Sequence, residues 1–200
     1  MNRRYKVEFE IAAPAAMFTR PDTGSTPISY PAPTYSALIG MFETVARIKS
    51  AYIKPIYVEI CAPIEYHNYF NNYGGPLREI GKRNLQLVAT VLNNVCYKVY
   101  GEVAEIEQPP NGNNHLHALQ EMFLRRLKHG YFYNTPCLGW REFTPSYFGI
   151  LREQTTPDKS INLMIPSMLY SMYESPSCKK VMPSYKQNVK IMEGVLRYDK

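Results

Sequence analysis

Two hundred residues, 45% hydrophobic and 20% charged, have the make-up of a folded chain with one core, or one core and a small appendage, and exclude a disordered protein. No run approaches the ~18 consecutive apolar residues of a membrane span. The charged, alternating start from Met1 to Ile11 lacks the apolar core of a signal peptide, so a cytoplasmic protein with no membrane partner is expected. A net charge of +6 and a pI near 9.0 point modestly to a polyanionic partner.

From Tyr5 to Ile11, YKVEFEI alternates without a break, with Tyr5, Val7, Phe9 and Ile11 on one face and Lys6, Glu8 and Glu10 on the other, which predicts a half-buried strand. The prolines Pro21, Pro27, Pro31 and Pro33 with Gly24 then predict an irregular loop. Pro33 and Thr34 suit the first turn of a helix whose apolar stripe is Leu38, Met41, Phe42, Val45 and Ile48. In YIKPIYVEICA, residues 52–62, Ile56, Val58 and Ile60 share a face and predict a second strand, with Pro55 marking an edge or a start. EYHNYFNNYGGPLREIGKR, residues 65–83, is polar and glycine-bearing and reads as a mobile or binding loop. Tyr73, Gly74 and Gly75 form its tip, without the lysine spacing of a phosphate loop.

A long third strand covers VLNNVCYKVYGEVAEIE, residues 91–107, with Val95, Tyr97, Val99 and Val103 at period two and Gly101 as a bulge marker. The second helix runs from about Asn114 to His129, striped by Leu116, Leu119, Phe123 and Leu127, capped by Asn113 or Asn114 and ended by Gly130. YFYNTPCLGWREFTPSYFGI, residues 131–150, reads as strand, turn and strand. The order β, α, β, β, α, β is the ferredoxin-like pattern of the α+β class, shared with RNA-recognition folds. It occupies residues 1–150, and residues 151–200, weakly alternating and rich in proline and lysine, read as a small β-rich C-terminal region.

Arg125, Arg126, Lys128, Arg141 and Arg152 lie in a stretch whose only acid is Glu142, which makes it the best candidate for phosphate contacts. The 17 tyrosines interleaved with such cations suit stacking on single-stranded nucleic acid, although half-buried strand positions explain many of them. Arg126, Lys128 and His129 also sit where cations stabilise a helix C-terminus. Cys61, Cys96, Cys137 and Cys178 stand roughly 40 residues apart, with no CxxC pair, so reduced buried thiols and no metal site are expected. His115 and His117 stand at the mouth of the second helix, about 200° apart around its axis. They read as acid-base groups, as RNA-binding groups, or as polar residues of a helix cap.

Three stretches, MFTRPDTGSTPISYPAPTYSALIGMFETV (17–45), LNNVCYKVYGEV (92–103) and CLGWREF (137–143), together resemble the fifth Cascade subunit of CRISPR systems in its type I-C version, a member of the RAMP superfamily. The resemblance implies a ferredoxin-like fold, a place beside other Cascade subunits, and binding to the 5′ handle of CRISPR repeat RNA, with no small-molecule cofactor. Its type I-C members also cut the precursor without metal, using a tyrosine late in the first helix and a Lys-His pair at the start of the second. Here those positions are Ala46, Asn114 and His115. The losses favour an RNA binder; the alternative is a metal-independent endoribonuclease using His115, with His117 or Arg47 in the lost roles. Thr19, Arg20, Ser29 and Tyr30 match positions near the RNA path. The RNA-binding candidates are therefore Arg20, Tyr30, Arg47, Arg125, Arg126, Lys128 and Arg141, with Trp140 as packing and Arg141 as either an internal ion pair or an RNA contact.

Overall fold

The computed structural model describes residues 5–73, 85–108, 114–173 and 180–198. β1 (Lys6–Ala16) extends further than Ile11 and buries Val7, Phe9, Ile11 and Ala13 on one face, but Glu10, expected on the polar face, is fully buried too. After a short 3-10 turn, α1 (Tyr35–Val45) starts at Thr34, whose hydroxyl accepts the Ala37 N–H at 3.2 Å. Leu38, Met41, Phe42 and Val45 form its buried stripe, as the periodicity predicts, whereas Ile48, also placed on that stripe, lies beyond the helix end. β2 (Ala51–Ile60), β3 (Glu65–Tyr73) and β4 (Leu85–Glu105) follow, then α2 (His115–His129) and the short β5 (Tyr147–Gly149). β6 (Leu163–Tyr173), β7 (Val181–Met192) and β8 (Val195–Arg197) complete the order.

The strands form one antiparallel sheet in the order β5-β1-β4-β2-β8-β7-β6, with β3 paired to β4 off that path. The architecture is mixed, an antiparallel sheet with few helices. Both helices bury apolar stripes against the sheet, where Phe9 meets Phe42 at 5.0 Å and Phe123 at 6.4 Å, and Phe42 meets Phe123 at 5.6 Å. Gly101 of β4 makes that packing possible, because a Cβ there would lie 2.7 Å from Phe42 Cζ. The expected irregularity is in the partner strand, between Pro55 and Tyr57 of β2, opposite Gly101 and Tyr100. Pro55 itself lies where β2 pairs only with β4, since β8 joins from Tyr57 onward.

Two segments differ from their sequence reading. Residues 65–73 are a strand, not a loop: β3 pairs with β4 from Glu65↔Asn93 to Tyr73↔Leu85, and β4 begins at Leu85. This ribbon leaves Tyr66 48% and Phe70 59% exposed, so it lacks the one-sided apolar pattern that announces a half-buried strand. Its tip, with Gly74 and Gly75, lies outside the described residues, as do Asn113 and Cys178. In 131–150 only Tyr147–Gly149 forms a strand; the preceding residues are irregular and are held by buried Leu138 and Phe143.

β6, β7 and β8 extend the same sheet. Their link to the core is polar as well as apolar: the Leu169 N–H donates to the Tyr30 hydroxyl at 3.0 Å, and buried Tyr198 donates to the Pro33 carbonyl at 2.5 Å. Cys61, Cys96 and Cys137 are free thiols of intermediate burial. Among the described residues, no helix is long and apolar enough to cross a membrane.

Candidate nucleic-acid interface

At the start of α2, Asn114 is the cap. Its side-chain oxygen accepts the His117 N–H at 3.1 Å and its Nδ2 donates to the Tyr5 hydroxyl at 2.8 Å. Substituting lysine for asparagine there would remove the acceptor, so residue 114 is used to begin the helix. The two histidines diverge. His115, with a side chain only 14% exposed, points its Nε2 toward Glu105 Oε1 at 3.9 Å, while exposed His117 lies 5.9 Å from the Tyr5 ring. Each histidine thus meets a different neighbour.

Ala46 ends α1, is 2% exposed and donates its N–H to the Phe42 carbonyl at 3.1 Å, so it presents no functional group. Beside it opens a crevice of about 170 Å³ lined by Glu43, Arg47, Lys49, Tyr52 and Ile106. Desolvation pushes the Glu43 carboxyl up, with the Arg47 charge opposing. Arg47 itself is exposed.

The other end of α2 is basic and open. Gly130, left-handed at φ 67°, ends the helix; Arg125, Lys128 and His129 are exposed, and Arg126 is partly buried and donates to the Val45 carbonyl at 3.1 Å. That hydrogen bond brings Arg126 to the end of α1, near Arg47. Both guanidiniums lie over one ring, Tyr133, at 3.8 Å for Arg126 and 5.6 Å for Arg47. The structure thus brings two candidates, Arg47 just beyond α1 and Arg126 of α2, to one place. It also adds Tyr131 and Tyr133, which the sequence reading placed in a strand, and, at the opposite end of α2, Tyr5 and Glu105. The signal was present in YFY directly after a basic helix end, which is a cation-aromatic pattern as much as a strand pattern.

The remaining candidates are dispersed. Arg20 makes a bidentate pair with Asp22 at 2.7 and 3.1 Å, and its pKa is raised chiefly by that hydrogen bond. It lies 5.8 Å above Tyr30, whose ring is 2% exposed and therefore closed to a base. Arg141 is exposed, and among the described residues it forms no ion pair. Trp140 stacks on Phe143 at 6.0 Å and donates to Thr19 at 3.0 Å.

The internal ion pair of the basic stretch belongs to Arg152. Its guanidinium meets Glu10, a fully buried carboxylate, at 2.6 Å, and its N–H reaches the same group at 2.7 Å, with the Thr155 hydroxyl at 2.9 Å. Burial pushes the Glu10 carboxyl up, but the Arg152 and Thr155 hydrogen bonds and the Arg152 charge together hold it below its ordinary value. Lys98 donates to the Arg152 and Thr155 carbonyls at 2.9 and 2.5 Å, tying the segment onto the sheet. Among the described residues, no three His, Cys, Asp or Glu side chains gather as metal ligands would.

Residues 7–169 match the family described as CRISPR-associated protein (Cas_Cas5), in its Cas5d form. The chain is 30% identical, over 162 residues, to the CRISPR pre-crRNA endoribonuclease Cas5d of Thermus thermophilus, a match covering 78% of this chain and 69% of that protein. A crystal structure of a CRISPR-associated protein superposes with a TM-score of 0.73 at 17% identity, covering 98% of this chain and 92% of the other. A functionally uncharacterized protein from Streptococcus mutans superposes with the same TM-score at 15% identity and the same coverage.

Proposed function

The chain belongs to the Cas5d family of CRISPR-associated proteins, and from that premise we propose that it is the CRISPR RNA-binding subunit of a Cascade-type antiviral ribonucleoprotein, holding the 5′ handle of the repeat RNA beside other Cascade subunits. The family match over residues 7–169 carries this reading. The geometry favours binding over cutting. A metal-independent cut needs a base for the 2′-hydroxyl, an acid for the leaving oxygen and a cation for the charge on phosphorus, all within reach of one phosphate. Here Ala46 is aliphatic and buried, Asn114 caps α2, and His115 turns toward Glu105.

The ferredoxin-like assignment of residues 1–150 is part of the same proposal. It is supported by the strand order β5-β1-β4-β2, all antiparallel, with α1 connecting β1 to β2 and α2 connecting β4 to β5. β3 and the first part of β4 then form a ribbon beside that unit, and β8, β7 and β6 add strands beyond β2.

The test is one gel: protein in excess over end-labelled repeat RNA in EDTA, beside a duplicate with deoxyribose at the cleavage position. A shifted, uncut band in both lanes is expected. Cleavage of the all-ribose RNA alone would replace the binding reading with 2′-hydroxyl attack through His115.

A further inference from the structure

Immediately after α2, the sequence YFY places its middle ring inside and its outer rings outside. Phe132 packs edge-on against Phe148 at 5.3 Å, whereas Tyr131 is 64% and Tyr133 44% exposed. The backbone holds them there: the Tyr131 N–H donates to the Arg126 carbonyl at 2.9 Å and the Tyr133 N–H to the Thr44 carbonyl at 2.8 Å. The backbone that carries the rings is therefore held before any ligand arrives, which lowers the ordering cost of binding.

Each ring is accompanied by basic side chains. His129 lies stacked with Tyr131 at 5.8 Å and 26°, and Arg126 and Arg47 lie over Tyr133. Among the described residues, neither guanidinium has a carboxylate within ion-pair distance, unlike Arg20 and Arg152. The dipole of α2 explains Arg126 and His129. It explains neither Arg47, which follows the end of α1, nor two exposed tyrosines beside the cations.

We propose that this surface is a subsite for single-stranded RNA, in which Tyr131 stacks a base while Arg47 and Arg126, spaced by Tyr133, take flanking phosphates. Every nucleotide presents a flat π-face together with a phosphate, so the pairing is tolerant of sequence. A duplex hides its base faces, which is why the ligand class is single-stranded. The inference rests on the RNA-handle reading and adds to it a second place of contact, remote from His115 along α2 by roughly 20 Å at 1.5 Å per residue.

The experiment is fluorescence anisotropy of the full chain with labelled repeat RNA from its own CRISPR locus, and with an oligouridylate as the single-stranded probe. Tyr131→Leu is expected to weaken both by about ten-fold, the usual scale for losing a stacked base, without changing the salt slope. Tyr131→Phe should bind within about two-fold of the native chain, since the stacking ring remains. Tyr133→Leu should weaken binding and flatten the salt slope, because the guanidiniums lose the ring that spaces them. Because both tyrosines are exposed, unchanged melting curves will show that the variants fold. Native affinity in both leucine variants would overturn the subsite while leaving the RNA-handle reading intact. A native chain that binds neither RNA would overturn that reading, and the subsite with it.

Discussion

Arg152 and Arg126 come from one basic stretch, yet the fold assigns them opposite work. Arg152 closes on Glu10, a carboxylate with no exposed surface, and helps tie residues 150–155 to the sheet. Arg126 meets no carboxylate within ion-pair distance among the described residues and lies over Tyr133 beside Arg47. Counting cations along the chain cannot separate the two. What separates them is whether folding supplies an anion or leaves that role to a ligand.

Removing Arg152 should give the largest effect on stability. Breaking a fully buried pair costs about 3–5 kcal/mol; with the guanidinium 39% exposed, screening reduces this, and Arg152→Ala is expected to lose about 2 kcal/mol in urea unfolding. The same pair sets an acid response. Because the Glu10 carboxyl is held below its ordinary value when folded, the unfolded chain binds more protons as the pH falls below the usual carboxylate range of about 4. Its contribution is complete above that range and disappears as the pH drops through the folded value. Arg152→Ala should therefore show a shallower stability loss than the native protein between pH 5 and pH 2. A parallel acid profile would mean that Glu10 is not held by Arg152.

At the other arginine the readout changes from stability to RNA. Arg47→Gln with Arg126→Gln should reduce repeat-RNA affinity by about thirty-fold and flatten the salt slope by about 1.4, the expectation for two lost single-strand phosphate contacts. Unchanged slopes would erase the contrast with Arg152.

The limits of the sequence are visible in these same elements. α1 and α2 were readable because their apolar stripes and caps, Thr34 and Asn114, are local. β1, β2 and the second half of β4 were readable because one face is buried. β3 was not, since a strand that leaves Tyr66 and Phe70 exposed loses that contrast and takes its order from pairing with β4. The pairing of Glu10 with Arg152 spans 142 residues, and no pattern in the chain announces it. Likewise, Arg47 and Arg126 become neighbours only when α1 and α2 pack. The divergence of His115 and His117 was legible from helix geometry alone, whereas the turn of His115 toward Glu105 was not.

A smaller effect is expected at the histidine end of α2. Asn114→Ala removes the cap to His117 and the contact to Tyr5, and should cost about 1 kcal/mol of stability. If the open chemistry lies at the other end, its RNA affinity stays within about two-fold of native. A large loss of affinity without loss of stability would move the binding site back to the helix start.

Arg20 should give the smallest change, and for a reason that sharpens the comparison. It resembles Arg126 in lying over a tyrosine, but it resembles Arg152 in already having an anion, Asp22, two residues away. To reach a phosphate it must exchange one carboxylate for another anion, and exposed pairs are worth only about 0–1 kcal/mol, so the exchange is nearly neutral. Arg20→Ala is accordingly expected to weaken RNA binding by no more than about three-fold and to flatten the salt slope by less than one contact. Asp22→Ala then becomes the decisive partner experiment: freeing the guanidinium should strengthen RNA binding in the native background and have no effect when Arg20 is absent. If Asp22→Ala weakens binding instead, the loop's shape matters more than its charge, and an anion already supplied by the fold would no longer distinguish structural arginines from RNA-binding ones.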